Sequence, residues 1–314
     1  MKLTLRPFTD ADRGELLNLW KEALPLDAIT EDMLETRVLL DENFDASTFL
    51  LAQEADRLVG FVVGTYARRI AMAEHDPEGN RCWITALGVA PDAGLARVGG
   101  ALLEGLEAKF RTLGKKECWI STYPTGYFTP GIDLSAYATL AEFYRSQRFE
   151  TVQEALSMDA PIVHFEVPPK VQEIEKKLTA EGVFVRTYRR ADLLQFLAFL
   201  EQSMPTDWMR VERANLRRIP DGGFRPDQVT VVTKGEEIIG YCQFEGSHFG
   251  PFGVSDGYQG RGIGTVLLAR TLERMRSNGF HDAWVMWTDD VAAKVYAKFG
   301  FRETRRFAIM KKRI

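Results

Sequence analysis

Val254-Ser-Asp-Gly-Tyr-Gln-Gly-Arg-Gly-Ile-Gly-Thr-Val-Leu-Leu-Ala-Arg-Thr-Leu-Glu-Arg-Met-Arg-Ser-Asn278 decides how this chain is read. The apolar run leading into it, Phe249 to Val254, has the composition of a strand. A turn follows with Gly257, Gly260, Gly262 and Gly264. From Thr265 a helix is expected, because Val266, Leu267, Leu268, Leu272 and Met275 lie close to the i, i+3, i+4 spacing of one helix face. Strand, glycine turn and helix start together make an anion site. Glycine lets the main chain approach a ligand and turn its N–H groups inward, and the unpaired N–H groups and dipole of the new helix favour negative charge. A diphosphate suits such a turn.

The order of residues narrows the reading. Gln259-x-x-Gly262-x-Gly264 is not the dinucleotide pattern G-x-G-x-x-G, since Leu267 stands three places after Gly264. Nor is it the nucleotide-triphosphate loop, which needs Lys-Ser/Thr after its last glycine. The pattern resembles the pyrophosphate loop of the GNAT superfamily of acyl-CoA-dependent N-acyltransferases. A second stretch agrees: Ala292-x-x-Val295-Tyr296-Ala-Lys-Phe-Gly300-Phe301 is similar to the family's A-x-x-L-Y-x-x-x-G-F.

The resemblance implies acetyl-CoA as co-substrate and no metal. It implies that Gln259, Gly260, Arg261, Gly262, Ile263, Gly264 and Thr265 hold the pyrophosphate. Phe252, Gly253 and Val254, on a bulged strand with an unpaired edge, would line the pantetheine arm, with the Phe252 N–H as oxyanion donor. Tyr296 would give a proton to the leaving thiol, and Asp289, where relatives carry asparagine, would lie by the pantetheine.

The chain holds this plan twice. Val183-Phe-Val-Arg186-Thr-Tyr188 with Asp192 copies Leu3-Thr-Leu-Arg6-Pro-Phe8 with Asp12. Val254 and its glycine turn copy Val89 and Pro91-Asp-Ala-Gly94; Val295-Tyr296 copies Phe143-Tyr144. The order is kept while the offset shrinks, so two homologous domains are expected, the first with longer loops. Each is a mixed α/β (α+β) domain with a central, mostly antiparallel mixed sheet flanked by helices. The expected division is 1–160, a linker at 161–182 with Pro168-Pro169 and a charged helix from Gln172 to Ala180, and 183–314. Aligning the turns without a gap puts Gly94 at Gln259, Arg97 at Gly262 and Gly99 at Gly264. Arg97 sets a long side chain where glycine would let main chain meet phosphate. The first domain is therefore expected to be degenerate, with weak or absent coenzyme binding.

Length and composition fit this plan: 314 residues suit two domains, and 45% apolar with 27% charged residues is ordinary for globular protein. A net charge of −4 gives no general attraction for nucleic acid or anionic membrane, so neither is an expected partner. The three cysteines lack metal-ligand spacing, and the opening residues lack an apolar signal core. A reducing cytoplasm is the expected compartment, with a monomer or homodimer as the assembly.

Transfer of an acetyl group to an amine needs a neutral amine, a donor to the carbonyl oxygen and a proton for the thiolate. Glu245 and His248 flank the turn before the Phe249 strand and are the candidate bases: histidine for its pKa of about 6.5, glutamate through a water. In Met204-Pro-Thr-Asp207-Trp208-Met-Arg210, Trp208 offers a flat apolar face and Asp207 a charge for an ammonium group. Both are candidate acceptor residues. The expected activity is acetylation of a small-molecule primary amine by direct attack in the second domain. The alternatives are a non-catalytic acyl-CoA sensor and a protein-modifying acetyltransferase.

Overall fold

The computed structural model describes residues 2–69 and 75–314. In chain order the elements are β1 (Leu3–Pro7), α1 (Arg13–Ala23), α2 (Glu31–Leu34), β2 (Phe49–Glu54), β3 (Arg57–Tyr66), β4 (Arg81–Val89), α3 (Leu95–Thr112), β5 (Glu117–Ile120), β6 (Ile132–Asp133), α4 (Ala138–Ser146) and β7 (Glu150–Pro161). Then come α5 (Pro169–Ala180), β8 (Val183–Thr187), α6 (Leu193–Ser203), α7 (Thr206–Arg217), β9 (Val229–Lys234), β10 (Glu237–Glu245), β11 (His248–Val254), α8 (Ile263–Ser277), β12 (Asp282–Thr288), α9 (Asp290–Ala297) and β13 (Arg302–Arg313). Two compact units divide them: Met1–Ala155 with Arg305–Ile314, and Leu156–Thr304. Among the described residues no helix is long and apolar enough to cross a membrane.

In the first unit β1, β2, β3 and β4 pair antiparallel, β4 and β5 parallel, and β5 and β13 antiparallel. Val98, Leu102, Leu103, Leu106 and Phe110 of α3 fill one core cluster. Leu16, Leu19 and Trp20 of α1 fill another with Leu34 and Val38. The second unit repeats the pattern: β8, β9, β10 and β11 antiparallel, β11 and β12 parallel, β12 and β7 antiparallel. Alternate residues of β10 serve opposite faces, as the period of two in a strand requires. Cys242 and Phe244 join the cluster of α5, α8 and α9, and Tyr241 joins that of α6 and α7. Leu267 and Leu268 of α8 are fully buried, each contributing about 2 kcal/mol. The repeated Arg-x₅-Asp is a matched ion pair: Arg6 Nη2 lies 2.6 Å from Asp12, and Arg186 Nη1 2.6 Å from Asp192. Each aspartate also accepts the backbone N–H of the residue three before it, Thr9 or Arg189, and so fixes the turn into the first helix.

The division differs from the expected 1–160, 161–182 and 183–314 in two places. Residues 161–182 lie inside the second unit, because Val171 and Leu178 of α5 are buried in its core and Arg270 of α8 pairs with Glu175. The closing strands are also exchanged. The end of the first repeat, as β7, pairs with β12 in the second unit, while the end of the chain, as β13, pairs with β5 in the first. Sequence similarity between repeats does not encode which closing strand each sheet takes.

Candidate active site

The parallel strands β11 and β12 pair at one point, His248 with Trp284, where the Trp284 N–H donates to Ser247 O at 2.9 Å. Beyond it they separate. The β11 edge from Gly250 to Val254 then faces β12 without a partner, and these residues are half-buried. On its other side β11 stays paired with β10, but the register shifts between Cys242 and Phe244. Gly250 and Pro251 both stand opposite Gln243, so β11 carries a bulge there. An extended, amide-bearing ligand can lie along the free edge as an added strand.

Ser255 to Gly262 lead from this strand into α8. Gly260 and Gly262 have φ of 76° and 82°, the left-handed region that side chains disfavour. A Cβ on Gly262 would also stand 2.8 Å from Ile174 Cγ2 on α5. Helix α8 begins at Ile263, two residues before the expected start at Thr265, and Gly262 at its N-cap supplies no side-chain cap. The N–H groups of Ile263, Gly264 and Thr265 belong to its open first turn, since the first helical bond is Val266 N–H to Gly262 O at 3.1 Å. A Cβ at Gly264 would only touch Phe252, at 3.4 Å. Open first-turn amides and a close glycine approach fit a diphosphate. The loop's two long side chains face elsewhere. Gln259 Nε2 donates to Val254 O at 3.2 Å and Asp256 Oδ1 at 2.9 Å, bracing the turn from within. Arg261 pairs with Glu181 and lies over the Tyr258 ring.

Phe252 and Val254 pack on the α8 side of β11, and Gly253 faces the α6–α7 side. Tyr296 of α9 is buried against Phe249 and Phe252, with ring centroids 5.3 and 6.1 Å away. Burial is the largest cause that pushes its phenol pKa well up, so Tyr296 stays protonated at neutral pH. Asp289 caps α9: its Oδ1 accepts the N–H groups of Val291 at 2.8 Å and Ala292 at 2.7 Å. That helix-capping job explains its residue type without any ligand.

Glu245 and His248 are register partners at the ends of β10 and β11. Glu245 is exposed and held by Arg218 at 2.6 and 3.2 Å. The His248 ring lies tilted against Trp284, centroids 4.6 Å apart, where the strands part; burial lowers its pKa, against the opposing pull of Glu245. It is therefore neutral at pH 7 and able to accept a proton. Trp208 stands over β11: its Cζ3 lies 3.1 Å from where a Gly253 Cβ would be. Asp207 Oδ1 is buried without a hydrogen-bond partner.

The sequence reading missed a group beside them. Glu212 on α7 has no exposed surface, and neither of its carboxylate oxygens has a partner among the described residues. It lies beside the Tyr241 hydroxyl but outside hydrogen-bond geometry. Asn215, one turn on, donates to Gln243 Oε1 at 3.1 Å. The signal was present, since Trp208, Glu212 and Asn215 fall on one helix face and so set a charge in the buried stripe. Among the described residues no group of three or more His, Cys, Asp or Glu is placed to hold a metal ion.

The first unit lacks an equivalent loop. Helix α3 starts at Leu95, where the second unit still has its turn at Gly260. Arg97 lies in its first turn, pairs with Glu54 and donates to Ala93 O at 2.9 Å. The side chain folds back over the helix start and brings a carboxylate with it, which opposes a diphosphate.

Family profiles match the chain twice: "Acetyltransferase (GNAT) family" over residues 14–127 and "Acetyltransferase (GNAT) domain" over 225–303. Together they take in more than half of it, and the chain belongs to the GNAT acetyltransferases. It carries two GNAT domains in tandem and is an N-acetyltransferase that uses acetyl-CoA. No curated protein sequence matches it. Among solved structures, the GCN5-related glucosamine N-acetyltransferase region of a fungal multi-domain GH3 beta-N-acetylglucosaminidase superposes with TM-score 0.81 at 16% identity, covering 99% of this chain and 38% of that one. The present chain thus spans well under half of that protein. A GCN5-related N-acetyltransferase from Sphaerobacter thermophilus gives 0.70 at 15% identity, covering 99% and 95%. A tandem GNAT protein from the clavulanic acid biosynthesis pathway gives 0.61 at 14%, covering 99% and 98%. These likenesses bear on the fold.

Proposed function

We propose that the second unit transfers the acetyl group of acetyl-CoA to a primary amine of a small molecule by direct attack, in the cytoplasm, and that the first unit does not bind the coenzyme. The observation that carries this is the unpaired β11 edge leading into the uncapped first turn of α8. The pantetheine amides would pair with β11, and the amides of residues 260–265 would receive the pyrophosphate. Tyr296, kept protonated by burial, suits the donor to the leaving thiolate, and neutral His248 suits the acceptor of a proton from the amine. Trp208 and Met204 cover Gly253 on the acceptor side, which favours a small molecule over a protein chain.

Calorimetric titration of acetyl-CoA into wild type and Gly260→Asp tests the reading. A Cβ at Gly260 meets nothing within 4 Å, and aspartate tolerates left-handed backbone, so the fold is kept while a negative charge enters the phosphate turn. Affinity at least about tenfold weaker is expected, worth about 1.4 kcal/mol. Unchanged binding would remove this loop from the coenzyme site.

A further inference from the structure

Glu212 and Tyr241 are both fully buried side by side, and neither the Glu212 carboxylate oxygens nor the Tyr241 hydroxyl has a partner of normal hydrogen-bond geometry among the described residues. Their position connects them to the proposed site. Tyr241 is paired across from Gly253, on the strand whose other edge is free. The Trp208 ring lies over Gly253 and 6.3 Å from the Tyr241 ring. Glu212 is one turn beyond Trp208, and Asn215 reaches Gln243 opposite the β11 bulge. The acceptor side of β11 is thus backed by an unpaired carboxylate and an unpaired hydroxyl.

We propose that Glu212 and Tyr241 form the amine end of the acceptor subsite, that the acceptor is a cationic amine with no carboxylate beside its amino group, and that Glu212 takes the proton the ammonium sheds. The proposal rests on the acetyl-transfer reading above. The charges around the pair favour a cation. Tyr241 faces Glu212 from β10 and also feels the charge of Asp207, while Cys242 lies on the other face of the strand. Among the described residues no cationic side chain acts on Glu212. Arg210, whose Nη1 is also buried and unpartnered, leaves α7 roughly 160° round from Glu212. An ammonium group supplies the missing donors, whereas an adjacent carboxylate would be buried unpaired.

The proton account closes. One N–H proton of R–NH₃⁺ passes to the Glu212 carboxylate, leaving R–NH₂ and a neutral carboxyl. The nitrogen lone pair forms the C–N bond to the acetyl carbonyl carbon and the C–S bond breaks. The further N–H proton lost on forming the amide passes to His248, Tyr296 gives its phenol proton to the thiolate and regains one from His248 through water, and Glu212 returns its proton to water.

Thiol release from acetyl-CoA with matched probes tests the proposal: tyramine against tyrosine, and phenethylamine against phenylalanine. In wild type the amine without the carboxylate is expected to win by at least about tenfold in kcat/KM, a margin worth about 1.4 kcal/mol. Glu212→Gln is expected to lower kcat for tyramine by about 100-fold, within the range of a general base, and to flatten the rising limb of the pH profile. Glu212→Asp is expected to restore part of both, and with Tyr241→Phe it carries the test if the glutamine variant does not fold. Without turnover, calorimetry of tyramine alone in buffers of different ionisation enthalpy is expected to show proton release on binding to wild type and no binding to Glu212→Gln. Use of tyrosine equal to tyramine and of phenylalanine equal to phenethylamine, a wild-type pH profile in Glu212→Gln, or no thiol release with any probe while acetyl-CoA binds would each overturn the subsite. Failure to bind acetyl-CoA would overturn the function proposed above instead.

Discussion

Glu212→Gln changes how stability depends on pH, and the size of the change follows from burial. A glutamate carboxyl in an unfolded chain titrates at about 4.3. In the folded chain burial is the largest cause raising Glu212, which is pushed up to about 8. The native state therefore holds the proton more tightly than the unfolded state. Its contribution is fully present below the unfolded value and is lost as pH rises toward the folded one, at about 1.4 kcal/mol per pH unit within that window. Between pH 5 and pH 7.5 the loss is about 3 kcal/mol. Glutamine carries no such titration, and every other group titrates alike in both proteins. The stability of Glu212→Gln relative to wild type is thus expected to rise by about 3 kcal/mol across that range, or about 9 °C in melting temperature for a domain of about 150 residues. Taking the difference between pH values removes the constant cost of the unpaired amide. Urea unfolding at several pH values, followed by circular dichroism, measures it. Parallel curves, with a change below about 1 kcal/mol, would mean that the carboxyl is solvated or paired in the folded protein, and the reasoning from burial would fail.

Two further predictions concern other groups. Tyr296→Phe removes the buried phenol and keeps its packing on Phe249 and Phe252; kcat is expected to fall about 10- to 100-fold, toward the lower end of general-acid effects, with acetyl-CoA affinity unchanged. A wild-type kcat in steady-state assays would remove the phenol from the chemistry. Asp12 is held down to about 2, first by its hydrogen bonds from Arg6 and then by those from Thr9, so its stabilisation is present above the unfolded value and is lost as pH falls through about 4 toward 2. Asp12→Asn is expected to cost the first unit about 1–2 kcal/mol at pH 7 and to flatten its acid unfolding curve; equal acid sensitivity in the two proteins would contradict that.

The tandem fold was legible because the elements that repeat carry local signals. Arg6 and Asp12 recur as Arg186 and Asp192, and both pairs form, since a six-residue spacing over one strand end and one turn is a local matter. The glycine turn was legible for the same reason: left-handed φ at Gly260 and Gly262 demands a residue type the sequence displays. Roles set by distant neighbours were not legible. The capping by Asp289 is by contrast a local role, to N–H groups two and three residues on, that a family expectation of pantetheine contact hid. The Arg218 partner of Glu245 depends on where α7 ends above β10. The exchange of β7 and β13 leaves no mark in the local pattern, because each is a twelve-residue strand with one central run of four buried residues.

The contrast between the two units shows how little separates a coenzyme turn from a structural one. Both have a strand, a glycine with positive φ and a helix directed into the same kind of core. In the second unit the α-helix does not begin until Ile263, and neither helix has a side-chain cap on its first turn. In the first, the helix starts at Leu95 and Arg97 turns its guanidinium to Ala93 O and Glu54. Replacing Arg97 by glycine would remove a positive charge as well as a side chain, and would leave the Glu54 carboxylate at a helix start that already occupies the loop's place. Charge alone would suggest that Arg97 helps bind phosphate. Its pairing decides against that, because an arginine already satisfied by a carboxylate presents little net field to a second anion. Loss of the turn is therefore a matter of backbone first and side chain second, and no single substitution at Arg97 is expected to restore acetyl-CoA binding to the first unit.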